Sequence, residues 1–75
     1  MFKICLAIPG KIIDINRNIA TVNILGVKEK IHTGLIESPQ IGEYVLVHAG
    51  FAIEKIDEEY FCYLEDTIKI MLEEE

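Results

Sequence analysis

From Lys11 to Ile56 the chain is cut into short segments by glycine or polar turns, and most of these segments alternate with a period of two. Successive residues of a strand face opposite ways, so this spacing predicts β-structure across the first three quarters of the chain. Lys11 to Asn16 alternates imperfectly and suits a strand, and Asn16-Arg17-Asn18 is a tight polar turn. Ile19 to Leu25 alternates cleanly, with Ala20, Val22 and Ile24 opposite Ile19, Thr21, Asn23 and Leu25. Gly26 breaks that run, and Val27 to Thr33 alternates again, with Lys28, Lys30 and His32 on one side. Two such runs joined through a glycine predict a hairpin. Ser38 to Glu43 reads as a loop, Tyr44 to His48 as a nearly apolar central strand, Ala49-Gly50 as a turn, and Phe51 to Ile56 as the last strand.

The pattern then changes period. Asp57 is a good N-cap, and Glu58 and Glu59 favour the positive end of a helix dipole. Phe61, Leu64, Ile68, Met71 and Leu72 recur at helical spacing, which predicts one amphipathic helix ending in an acidic run. Five short strands closed by one helix point to a mainly β fold, a small OB-like antiparallel β-barrel with a C-terminal α-helix. At 75 residues this is a single domain. It divides into an N-terminal arm over 1–10, expected to be mobile, a barrel over 11–56 and an acidic helix over 57–75. A chain of this size hides only about 60–65% of the surface its unfolded form exposes, so its stability rests on a small core.

Composition removes several classes. Hydrophobic residues make up 51% of the chain and there are two prolines, which excludes intrinsic disorder. Apolar runs stop at about five residues, far short of the roughly twenty a membrane helix needs. The opening Met-Phe-Lys-Ile-Cys-Leu-Ala-Ile-Pro is too short in its apolar part for a secretory signal, so a soluble cytoplasmic protein with free thiols at Cys5 and Cys62 is expected. The formal charge is −6 and it is unevenly spread. Residues 57–75 hold eight acids against Lys69, a charge of −7, while the rest holds five acids against six bases, a charge of +1. Such a chain repels nucleic acid overall, because phosphate binding needs Lys and Arg to displace counterions. An OB-type module for single-stranded nucleic acid is therefore the weaker alternative.

Few residues carry chemistry. There is no Ser-His-Asp pattern, phosphate-cradling glycine loop or HExxH, so an enzyme is not expected. Cys5 stands in an apolar arm ahead of the first strand, where a thiolate would be a soft ligand for iron or zinc. Its ordinary alternative is a small buried hydrophobe. His48 ends an apolar strand beside a glycine turn, where an imidazole could reach a surface site. His32 shares a solvent-facing side with Lys28 and Lys30 and is given no role. Cys62, beside Phe61, reads as a packing or partly buried position. Pro9-Gly10 reads as a turn that launches the arm. A redox role would require Cys5 and Cys62 to come within about 7 Å between Cα atoms.

Two segments go beyond composition. Cys5-Leu6-Ala7-Ile8-Pro9-Gly10-Lys11, followed by Gly42 to Ile53 with its His48-Ala49-Gly50-Phe51-Ala52 core, resembles the HypC/HupF family of hydrogenase maturation chaperones. The resemblance runs from Cys5 into the helix. It implies an accessory protein for [NiFe]-hydrogenase assembly with an OB-like barrel. Proteins of this kind bind HypD and with it hold an iron centre while cyanide and carbon monoxide ligands are added. They then deliver that fragment to the precursor of the hydrogenase large subunit. The family's essential cysteine maps onto Cys5 and its second-motif histidine onto His48, while Pro9, Gly10, Gly50 and Phe51 fall on architectural positions. The family cysteine usually follows the initiator methionine directly; here Phe2-Lys3-Ile4 intervene, so a free α-amino group beside Cys5 is not expected unless translation starts later. A stable iron or zinc site takes about four ligands, so one cysteine and one histidine imply transient iron shared with the partner and no tightly bound cofactor.

Overall fold

The computed structural model describes residues 7–73. The strands are β1 (Ile8–Asn16), β2 (Ile19–Ile24), β3 (Val27–His32), β4 (Tyr44–His48) and β5 (Phe51–Ile56), followed by the helix α1 (Glu58–Glu73). They close into a barrel in the order β1-β2-β3-β5-β4. Four of the five interfaces are antiparallel, and β3 meets β5 in parallel through the single pair His32 and Phe51. An odd number of strands in a ring cannot alternate direction all the way round, so one parallel seam is unavoidable. The seam is fastened by the His32 N–H donating to the Gly50 carbonyl at 2.9 Å.

The expected alternation holds in β2, where Ala20 and Val22 are buried. They join Ile12, Ile31, Val45, Val47 and Ala52 in one core, with Ile15, Ile24 and Ile36 packed against it. The imperfect alternation of the first segment has a cause. The β1–β2 register shifts between Ile12 and Asp14, so Ile13 is the extra residue of a bulge.

The first strand begins earlier than the turn reading of Pro9-Gly10 allowed. Pro9 pairs with Leu46 and Gly10 with Val45, both inside β1 and both buried. A proline is tolerated near a strand start, where one missing donor costs little. Gly10 is favoured by proximity, since a Cβ there would lie 3.1 Å from Ile24 Cγ1 and 3.4 Å from Val22 Cβ and the Ile24 side chain would have to give way by a few tenths of an ångström. The barrel thus runs from residue 8, and the proposed launching turn is absent.

Asp57 caps α1 as expected, its Oδ1 accepting from the Tyr60 N–H at 2.8 Å. The helix lies against β1 and β4. Phe61 is buried, its ring 4.4 Å from that of Tyr44. The apolar stripe is only half used. Leu64 and Ile68 are half-buried, whereas Met71 and Leu72 are each 59% exposed. Cys62 is exposed, not packed, because one residue round a helix from Phe61 turns about 100° away from the barrel. No helix of the described residues is long and apolar enough to cross a membrane.

Candidate functional site

The site is organised by the turn between β4 and β5. Ala49 and Gly50 both have positive φ, 53° and 84°. Two successive left-handed residues make a type I′ turn, whose twist matches that of the strands it joins. Such a turn sets the two flanking residues opposite each other, here His48 and Phe51. Phe51 also pairs with His32 across the parallel seam. Three ring-bearing residues therefore stand in a row across β3, β5 and β4. His32 and Phe51 stack, with centroids 4.9 Å apart and planes 26° apart. The Phe51 side chain is 40% exposed and His48 is half-buried.

Phe51 makes the β3–β5 pair with His32, and Gly50 supplies the carbonyl that ties the seam. His32, which the sequence reading set aside, belongs to the same row. Its only signal in the sequence is that strand three must meet strand five to close the ring, and strand periodicity does not carry that information.

On the other side of β4 the pairing with β1 ends at Ile8 and Val47, one step short of His48. Cys5 lies outside the described residues. The described residues nearest to it in the chain, Ala7 and Ile8, stand next to the His48 end of β4. They also line an apolar groove of about 290 Å³ with Leu64, Thr67, Ile68, Met71 and Leu72 of α1. Among the described residues no three His, Cys, Asp or Glu side chains gather as a metal site. Chemistry at His48 would therefore draw on groups from the arm or from another molecule.

Together these features define a class: a small closed β-barrel with an appended helix, which presents an apolar groove and a ring-lined seam at its surface. The family model for the HupF/HypC family matches residues 4–71. The chain belongs to that family. Among curated proteins it is similar to hydrogenase maturation factor HypC of Helicobacter hepaticus, 47% identical over 57 residues that cover 73% of this chain and 66% of the relative. It is similar to the factor of the same name from Rhizobium leguminosarum, 39% identical, covering 73% of this chain and 75% of that one. The Escherichia coli K12 factor is 37% identical over 60 residues, covering 72% and 67%. The matched part thus spans about two thirds to three quarters of these relatives.

Proposed function

We propose that this chain is a cytoplasmic [NiFe]-hydrogenase maturation chaperone. With HypD it holds an iron centre during cyanide and carbon monoxide assembly, and it then delivers that centre to the large-subunit precursor. Family membership and the names of the relatives support the maturation role. The observation that carries the rest is the position of Ala7 and Ile8, which belong both to the apolar groove and to the neighbourhood of His48. A partner seated in the groove would meet the root of the cysteine-bearing segment. Three Cα-to-Cα steps separate Cys5 from Ile8, a covalent reach of at most ~11 Å.

In this reading the Cys5 thiolate is the chain's soft ligand to iron, the cargo, and HypD supplies further ligands. His48 has the lesser part, contacting the iron or handling a proton through its imidazole. The groove supplies affinity by burying apolar surface.

The test is anaerobic co-purification of the tagged chain from hydrogenase-producing cells, read by infrared absorption of iron-bound cyanide and carbon monoxide. Wild type should bring down HypD and show both ligand signals, and Cys5→Ala should lose the signals while folding normally. Undiminished signals in Cys5→Ala would overturn the role of the thiolate. A melted barrel in that variant would return Cys5 to the status of a core residue.

A further inference from the structure

Six of the chain's bases fall among the described residues, and their distribution is uneven. Lys55 pairs with Glu43 at 3.2 Å, and Lys69 lies 4.0 Å from Glu65. The other four, Lys11, Arg17, Lys28 and Lys30, are all exposed and make no ion pair with another described residue. The strand register sets Lys11, Lys28 and Lys30 on one outer face, the Lys11 ammonium lying 5.8 Å from the Tyr44 ring centroid at its edge. One row across β1, β2 and β3 reads Lys11, Asn23, Lys28; the next reads Asp14, Thr21, Lys30; the last reads Asn16, Ile19, His32. Arg17, in the turn at the end of β1, lines an open basin of about 850 Å³ with Asp14, Lys30 and His32. Asp14 is the one acid in these rows. Glu29 falls on the other side of β3 with Val27 and Ile31.

A chain of net charge −6 thus carries a local face of opposite sign. Neighbouring strands lie ~4.8 Å apart and alternate residues ~7 Å apart, so the cations spread over roughly 10 by 14 Å. That is too wide for one phosphate-sized anion and suits a stretch of polymer. The geometry points to a docking face for an acidic polypeptide segment of a partner protein, separate from the apolar groove. Two features favour peptide over nucleic acid. Within the rows His32 is the one ring, too little for a run of stacked bases, and Asp14 sits mid-face, where it would meet a continuous line of phosphates. The overall negative charge also opposes a polyanion at long range, while a few carboxylates feel mainly the local patch.

The face is continuous with the candidate site, since its last row ends in His32 and His32 stacks on Phe51. An acidic segment drawn along the rows is led toward the His48 turn. Charge of this kind acts mainly on the rate and orientation of encounter, so the contact is weak and salt-sensitive.

The experiment is an NMR titration of the whole isotope-labelled chain with a soluble peptide of about 14 residues bearing four glutamates. Oligothymidylate of equal charge forms the second arm, and a dilution series of the chain alone forms the third. The expected result is saturable shifts at Thr21, Lys28 and Lys30, weakening several-fold between about 50 and 200 mM salt. Affinity should fall about tenfold in Lys28→Glu/Lys30→Glu and stay unchanged in Lys69→Glu, both folded by thermal melt. Absence of saturable shifts, tighter binding of the oligonucleotide, or the same shifts on concentrating the chain alone would each overturn it. This outcome is independent of whether Cys5 carries iron.

Discussion

Gly10 and Gly50 answer to different forces, and substitution separates them. Gly10 sits in a strand, and its constraint is the 3.1 Å approach of Ile24 that a methyl group would meet. Gly50 has open space around its Cα, and its constraint is the positive φ of 84°. Gly10→Ala overpacks a core and should cost about 1–3 kcal/mol. Gly50→Ala places a side chain in the left-handed region, at about 1–2 kcal/mol, less part of that regained from a stiffer unfolded chain. Urea denaturation should rank Gly10→Ala as the more damaging. Equal costs would mean that Ile24 yields freely. For a 75-residue chain with an expected stability of about 4–11 kcal/mol, either loss matters. His32→Ala removes a stack from an exposed seam and should cost no more than about 1 kcal/mol. Its larger effect should fall on Phe51, read as altered aromatic proton shifts and not as a lower melting point.

At the level of elements, the strands and the helix were legible because each is a local signal. Ala20 and Val22 turn inward as their alternation requires, and Asp57 caps the helix. The seam between β3 and β5 was not legible, because closure is a property of the ring. Pro9-Gly10 misled for a related reason. Both residues are strong local turn formers, yet the pairing with Val45 and Leu46 and the closeness of β2 decide their conformation. Of the candidate site, His48 and Phe51 were readable as neighbours of a glycine turn, and His32 was not. The helix makes its own prediction. Its last turns extend the groove-lining apolar face with Met71 and Leu72, each more than half exposed. Met71→Ser/Leu72→Ser should leave stability within about 0.5 kcal/mol, as exposed positions do. If the groove seats HypD, the same change should weaken that complex by tenfold or more in a titration with purified partner. Asp57→Ala is the opposite case, costing about 1 kcal/mol through the lost cap whether or not a partner is present.

For the whole molecule, the proposed role raises the question of how a carrier would hold iron without keeping it. A metal site of high affinity needs about four ligands in fixed geometry. Among the described residues the proposed role assigns a ligand only to His48, and no cluster of three ligating side chains forms among them. If the Cys5 thiolate joins His48 as proposed, the chain would offer two ligands, and two ligands would release iron readily to any site that offers more. On the proposed reading transfer would run downhill, from a complex in which two proteins share the ligation to a precursor that supplies a full set. The chain purified alone and anaerobically should therefore contain well under one iron per molecule, while its complex with HypD holds iron in proportion to the complex. Metal analysis of both samples from one preparation decides this. One tightly held iron in the isolated chain would mean a complete ligand set within 75 residues, and the sharing of ligands between two proteins would lose its physical basis.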